Sequence, residues 1–552
     1  MALRRSSLYL ACALAGAAAF SGSQQTFARP VSQSASNSEN WVGTATHAHE
    51  LRADSALLGM ARTTLPIHIE VALKMQNRDL LDSFVANQHN PTHFFYKETL
   101  EPADVVATFS PGSDQVQAVV AHLQASGFSN ISVSANRLLV SADGTAASVQ
   151  TAFQTRIADV RTGSGGAAFA NVDDAKVPAA LSGTVLAVLG LQTETQAHTM
   201  AVKGPDPQKG KPGGGGGGGS GVVTGHNPAT FGTIYAAGST PTASSVKVGI
   251  ITEGSMTQTI ADLSKFTTTN GLSAVSTLVV TVGGASSDTS GTSEWNLDSQ
   301  DIVGVSGGVN QLIFYTANSL YDTALTPTYN KAVNDNVAKV INISLGECET
   351  SAYNAGTMAA DDQIFAAAQA QGQTFSVSTG DSGANECGGH RGTVPSYPAS
   401  SPYVTAVGGT TLSTSGTPST TWAAETVWSG TGGSQSTVEP KPSWQTKGTA
   451  GNRSLPDLAF DADPNSGAQI YVKGALQQWG GTSLSAPLFA GTWARMLAGK
   501  NLGFAPPHLY TLPAGVYHDV TSGSNGGFSA TAGWDYTTGF GSLIIGSAYS
   551  AL

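Results

Sequence analysis

Seven consecutive glycines, Gly213 to Gly219, sit inside the stretch from Lys203 to Gly221 and divide the chain. Glycine loses more conformational freedom on ordering than any other residue, so such a run is a flexible tether and an open target for proteolysis. A phosphate-cradling loop is the competing reading of a Gly-rich run. No Gly-Lys-Ser/Thr ending follows it, and that reading is set aside. With 552 residues there is room for two or three domains, and the tether marks one boundary.

Charged residues make up only 11 %, and there are 65 glycines. A charge-poor surface of this kind suits a secreted, extracellular protein. The net charge is -11 and Lys plus Arg total 26, so no basic stripe is available for phosphates and a nucleic-acid partner is excluded. In acid much of the negative charge vanishes and little positive repulsion replaces it. Residues 1–28 read as a signal peptide, with Arg4 and Arg5 before an apolar run from Leu8 to Phe20 and small-residue cleavage positions after Ala19 and Ala28. That run is shorter than the ~20 residues that span a bilayer, so no membrane partner is expected. Cys12 lies in this leader, which leaves Cys348 and Cys387. An even pair in an exported chain reads as one disulfide, contributing roughly 4 kcal/mol in the chain-entropy account. The expected state is a monomer.

Residues 29 to about 60 show no clear period. From Pro66 to about Gln196 the pattern is that of a compact α/β unit. Ser113 is placed to cap a helix carrying Val116, Val119, Val120 and Leu123, which Gly127 ends. Ile131–Val133 and Leu138–Ser141 read as strands, followed by a helix through Val149 and Phe153. Beyond His226, strand candidates at 246–252, 278–282, 311–315, 340–344, 375–378 and 403–407 recur, with helical runs at 294–305, 323–337 and 358–370 between them. Such alternation predicts a parallel sheet covered on both faces, with the active site at the carboxyl ends of its strands.

The chemistry concentrates at Gly480-Gly481-Thr482-Ser483-Leu484-Ser485-Ala486-Pro487. A strand candidate (469–472) precedes this string and a helical run from Pro487 to Leu497 follows it. Ser483 is thereby placed at or just before the positive end of a helix, where a nucleophilic hydroxyl is most useful. A serine nucleophile needs a base. After the tether the histidines are His226, His390, His508 and His518, and none stands in a His-Gly-Thr-His setting. Instead Glu294 and Asp298 lie four apart, on one face of a helix. Gly380-Asp381-Ser382-Gly383 offers a decoy, since it matches the core around the nucleophile of trypsin-like enzymes. Those are all-β and disulfide-rich, whereas this pattern is α/β.

Glu-Trp-x-Leu-Asp-Ser-Gln, then Ser-x-Gly-Asp with a nearby Glu-Cys, then Gly-Gly-Thr-Ser-Leu-Ser-Ala-Pro together resemble the sedolisin family of serine-carboxyl peptidases, in its bacterial form. The resemblance covers 226–552, with a subtilisin-like α/β fold: a parallel sheet with helices on both faces. It implies that residues 29–202 are an activation prodomain of the pro-kumamolisin type, a small ferredoxin-like α/β unit acting as inhibitor. Residues 203–225 would be the linker with the maturation site. The family implies Ser483 as nucleophile, Glu294 as general base, Asp298 as its partner and Asp381 as the acid beside the oxyanion. Asp301, one turn beyond Asp298, has no family role and is expected on a solvated helix face. The substrate would be protein or peptide, cut through an acyl-enzyme; a secreted binding protein on the same fold is the rival class.

Two carboxylates ~5 Å apart at an effective dielectric of 20 repel by about 3 kcal/mol, so Glu294 and Asp298 should share a proton in acid. Asp381 can help an oxyanion only as a neutral donor. Both demands point to an acid optimum. The resemblance also implies one structural Ca²⁺, held by Asp519, Asp535 and the carbonyls of Val520, Thr531 and Gly533, although Thr531 stands where close members have glycine. All-oxygen ligation is what Ca²⁺ prefers. Some members carry an acid supporting the catalytic Glu where Thr252 falls; here Glu253 is one place later, and on a strand that shift reverses the face.

Overall fold

A computed structural model describes residues 40–205, 225–389 and 392–552. The expected signal peptide and Gly213–Gly219 lie outside them. The N-terminal unit runs β1 (Pro66–Leu73), α1 (Arg78–Asn87), α2 (Ser113–Ala125), β2 (Ser129–Val133), β3 (Leu139–Thr145), α3 (Ala146–Phe153) and β4 (Val185–Leu189). Its antiparallel sheet has the order β2-β3-β1-β4, the arrangement of a ferredoxin-like unit. Period-two alternation gives this sheet two apolar faces. Ile67, Ile69, Val71 and Leu73 join Val116, Val119, Leu123 and Phe153 in the unit's own core. Ala72, Leu139, Ala187 and Leu189 face the other way, against Ala360 of the second unit.

Two details differ from the sequence reading. Gly112, not Ser113, is the cap of α2, and the Gln115 side chain accepts its N–H at 2.8 Å. Residues before 60 also form strands, Trp41–Gly43 on Lys176–Pro178 and Ala56–Met60 on Ile157–Arg161. These short edge strands acquire their partners only through the fold, so no local period announces them.

After β4 come two short strands, β5 (His198–Thr199) and β6 (Val202–Lys203). The second unit contains β7 (Lys247–Glu253), β8 (Ser276–Thr281), α4 (Thr292–Ser306), β9 (Gln311–Ala317), α5 (Asp322–Asp335), β10 (Val340–Ile343), β11 (Leu345–Cys348), α6 (Thr357–Ala370), β12 (Thr374–Ser378), β13 (Thr405–Ser415), β14 (Thr421–Val427), β15 (Leu458–Asp461), β16 (Ala468–Val472), β17 (Ala475–Gly480) and α7 (Thr482–Gly499). The main sheet has the order β8-β9-β7-β10-β12-β13-β14, with β15 on β13, and every pairing is parallel except β13 with β14. Helices cover both faces, so β10 and β12 are wholly buried and, Asn342 apart, apolar or small.

The helix after the glycine pair begins at Thr482, not at Pro487. Ser483 is therefore its second residue, and Pro487 lies one turn inside. Having no N–H, Pro487 cannot bond the carbonyl of Ser483 four residues back. The Cys348–Cys387 disulfide is formed, tying β11 to the loop after β12. Among the described residues no helix is long and apolar enough to cross a membrane.

Candidate active site

The carboxyl ends of β10 and β12 meet the N-termini of α4 and α7, and the four expected residues converge there. Glu294 sits in the first turn of α4 with Asp298 one turn on, both fully buried. Asp298 Oδ1 accepts the Ser344 hydroxyl at 2.6 Å, and Ser344 in turn accepts the Asn342 amide at 2.9 Å. Asp381 follows β12 and reaches across to α7, where its Oδ1 accepts the Thr482 N–H at 2.7 Å and the Thr482 hydroxyl at 2.8 Å. This bond pair ties the acid to the residue preceding Ser483.

Burial dominates the electrostatics. It drives Glu294 well above the usual carboxylate range, the neighbouring Asp298 adds to the rise, and the Ser483 hydroxyl pulls the other way. Asp381 raises Glu294 further, and the Ala201 N–H opposes. Burial likewise raises Asp298 against the donors Ser344 and Asn342. Asp381 is pushed up to about 7 by burial, against the two Thr482 donors. In acid Asp381 is thus a neutral carboxyl, and its Oδ2 has no partner among the described residues. Ser483 and the Ala201 N–H lie beside Glu294, but neither completes a hydrogen bond of ordinary geometry, since both Glu294 oxygens and the serine hydroxyl are unpaired.

What fills the site is the chain itself. β5 pairs antiparallel with β11, Thr199 opposite Leu345 and His198 opposite Gly346. β6 pairs antiparallel with β17, Val202 opposite Gly480, and Gly204 N–H donates to the Gln478 carbonyl at 2.9 Å. Residues 198–204 therefore lie extended across the site as an added strand on both sides. Between the two pairings sit Met200 and Ala201. The Met200 side chain is buried, its sulfur accepting the Ser378 hydroxyl at 3.2 Å. Gly346 makes room for it, because a Cβ there would lie 2.3 Å from Met200 Cε. Gly481, at φ +97°, does the same for the backbone: a Cβ would lie 2.0 Å from the Met200 carbonyl oxygen and 2.5 Å from Asp381 Oδ2. That carbonyl and the Asp381 carboxyl thus face each other over the bare Cα of Gly481. The Met200–Ala201 peptide has its oxygen by Asp381, its nitrogen by Glu294 and Ser483 close at hand.

The sequence pattern did not single out Ser344, Asn342, Thr482 or Met200. The first could have been found as a hydroxyl at the end of a central strand; Met200 carries no signal. Asp301 is a correction: it is fully buried, not on a solvated face. Every residue of α4 from Glu294 to Ser306 is buried, because sheet, α7 and neighbouring loops enclose the helix. Thr252 points to Thr316, hydroxyl to hydroxyl at 3.0 Å, while Glu253 turns to Ser286 and Asp288, away from Glu294. Ser382 is exposed, and its N–H is taken by Glu386 at 2.9 Å. No described histidine acts on Glu294, and His390 lies outside the described residues.

The residues singled out for calcium share one loop region. Asp519 Oδ2 accepts the Gly533 N–H and Asp535 Oδ2 the Thr531 N–H, both at 2.9 Å. Among the described residues no hydrogen bond claims the carbonyls of Val520, Thr531 or Gly533, and Val520 is buried, so its carbonyl needs a partner. Gly533 adopts φ +81°, whereas Thr531 does not have a positive φ, so its side chain is carried without backbone strain. The oxygens are of the kind that Ca²⁺ prefers, with Asp535 Oδ1 also accepting the N–H and hydroxyl groups of Thr537 and Thr538, which fix the carboxylate.

Residues 53–194 match the Pro-kumamolisin activation domain and residues 276–534 match the Subtilase family. Sedolisin from Pseudomonas sp. (strain 101) is 45 % identical over 536 residues, covering 91 % of this chain and 89 % of that protein. Xanthomonalisin from Xanthomonas sp. (strain T-22) is 43 % identical over 559 residues, covering 90 % of this chain, which spans only 66 % of that relative's length. The solved structure of Pseudomonas sedolisin, a serine-carboxyl proteinase in complex with two molecules of pseudo-iodotyrostatin, superposes with a TM-score of 0.58 at 49 % identity. It covers 60 % of this chain and 98 % of its own.

Proposed function

Because this chain belongs to the sedolisin family of serine-carboxyl peptidases, we propose that it is the secreted zymogen of an acid-acting endopeptidase that hydrolyses proteins and peptides. The observation that carries this reading is the peptide 200–201 lying between Ser483, Glu294 and Asp381. In the proposed reaction Ser483 Oγ attacks the carbonyl carbon while its proton passes to Glu294. The developing oxyanion accepts the Asp381 proton as a hydrogen bond. Glu294 then hands its proton to the leaving nitrogen, and water repeats the sequence to free Ser483. Asp298 shares the proton of the pair, and its donors Ser344 and Asn342 oppose the rise that burial imposes; we expect one member to ionise in acid, so that hydrolysis peaks below about pH 5.

The prodomain is the natural inhibitor, since its trailing segment occupies the cleft. Loss of that segment from the site leaves it open to other chains. The binding-protein alternative is disfavoured by the intact set of four groups, and the trypsin-like alternative by the exposed Ser382, which bonds no histidine among the described residues. We take the exported chain to be a monomer, with one Ca²⁺ held by Asp519, Asp535 and the carbonyls of Val520, Thr531 and Gly533, supplying rigidity rather than chemistry. The test is self-processing in acid. Wild type should shorten, while Ser483→Ala and Glu294→Gln should stay full length; processing by Glu294→Gln at the wild-type rate would refute the assignment of the base.

A further inference from the structure

β10 carries one residue at odds with its surroundings. Val340, Ile341 and Ile343 are apolar, as a strand enclosed on both faces requires, but the residue between them is Asn342. It is fully buried, with Ile250 of β7 beside it on one side and Ser376 of β12 on the other. Its Nδ2 donates to the Ser344 hydroxyl oxygen at 2.9 Å, and its Oδ1 has no partner among the described residues. A buried amide with one end unsatisfied costs stability, so an apolar residue of the same size would suit the strand better. What the amide does have is a bond that leads to the site.

Asn342 and Ser344 are two positions apart where β10 ends, the spacing that puts side chains on one face. Ser344 is fully buried, and its hydroxyl donates to Asp298 Oδ1 at 2.6 Å. The Asn342 amide occupies the serine oxygen, which leaves the serine hydrogen to point at the carboxyl. A donor fixed on Asp298 favours its ionised form, against the burial that favours the neutral one. The ionisable groups nearby give no such help. Glu294 and Asp301 share the helix of Asp298, Asp381 acts on Glu294 and Asp461 acts on Asp301, and all four are acids. The groups on the elements packed against α4 are engaged elsewhere. Asp262 accepts the Lys473 and Gly474 N–H groups, Glu253 accepts from Ser286, and Tyr235 donates to Glu425. Lys265 donates to the Gly474 carbonyl, Arg495 donates to Val305 and Thr240, and His226 packs edge-on against Phe231.

We propose that Ser344, aimed by Asn342, is a positioning residue for the proton-accepting pair: its hydroxyl fixes the Asp298 carboxyl and lets the pair lose a proton while the surroundings are still acid. Asn342 is then kept for the site at some expense to the sheet. Ser344 acts through Asp298 and not on the peptide, and this rests on Glu294 and Asp298 being the pair. The effect is one-sided. Asp381, which has to keep its proton, is bonded to Thr482, so the acid limb of the rate profile answers to Ser344 and the alkaline limb does not.

The experiment is the pH dependence of kcat and kcat/KM for the processed enzyme with Ser344→Ala, Ser344→Thr and Asn342→Leu, with melting temperatures alongside. Loss of a hydrogen bond to a charged group in Ser344→Ala should move the acid limb up by about one pH unit or more and leave the alkaline limb in place. Ser344→Thr keeps the hydroxyl and should hold the acid limb within a few tenths of a unit. Asn342→Leu exchanges the amide for an apolar group of similar size. It should melt no lower than the wild type, yet raise the acid limb by part of the Ser344→Ala shift. An unmoved acid limb in folded Ser344→Ala or Asn342→Leu overturns the proposal, as does a Ser344→Thr limb displaced as far as that of Ser344→Ala. Should Ser344→Ala not fold, Asn342→Leu decides: a raised limb supports the proposal and an unmoved one overturns it. Glu294→Gln run alongside separates the two levels: an active Glu294→Gln enzyme removes the underlying reading, whereas an inactive one leaves Ser344 to be judged on its own limb.

Discussion

The first bond cut during maturation should be Met200–Ala201, and Met200 should set its rate. The side chain is 3 % exposed, enclosed by Ser378, Thr482 and the bare Cα of Gly346. Burying a methionine side chain is worth about 2 kcal/mol, which corresponds to roughly 30-fold in occupancy of the site. Met200→Asp forfeits that term and sets a polar carboxyl in the pocket, so self-processing in acid should slow by about 30-fold or more. Met200→Leu conserves volume and should cost less than about tenfold. The assay is a time course in acid, read by mass spectrometry for the earliest new N-terminus. That terminus should be Ala201, with trimming toward the glycine run following later. An earliest terminus elsewhere, or Met200→Asp processed as fast as wild type, would refute the reading of 198–204 as a bound substrate strand.

Asp381 keeps its proton up to about pH 7, so in acid it donates; Asp381→Asn retains a donor and should lose no more than about tenfold in kcat, against about 10²- to 10³-fold for Asp381→Ala. His89 of the prodomain faces His508 of the second unit with ring centroids 4.9 Å apart, and burial together with His508 lowers it from 6.5 to about 3. A histidine depressed in the docked state supports docking above pH 6.5 and loses that support as pH falls toward 3, by about tenfold per unit. In the Ser483→Ala chain, limited proteolysis should therefore detect the prodomain loosening in acid, at a lower pH in His89→Gln; an identical threshold in both would count against the pair as a trigger. Removing Ca²⁺ with a chelator should lower the melting temperature by about 5 °C at saturating ion, and Asp535→Asn should melt low and ignore the chelator.

The alternation of strand and helix beyond His226 was legible because a doubly covered parallel sheet imposes long apolar strands, and 340–343 and 374–378 fall where that pattern put them. Glu294 and Asp298 were legible because helical spacing is a local property, and Ser483 because a glycine pair before a helix start is written in consecutive residues. Asp381 was visible only through its motif, since its partner Thr482 is 101 positions away. Asp301 was misjudged for a physical reason: acids at helical spacing ordinarily mark a wet face, and nothing local says that the sheet and α7 will close over them. Met200 was invisible because a substrate-like segment needs only extended backbone and one side chain that fits. The sequence alone thus determined the architecture and singled out the four groups that the fold brings together, because these depend on short-range order. Tertiary structure decided which acids are dry and which peptide lies in the cleft, because both are set by contacts between segments hundreds of residues apart.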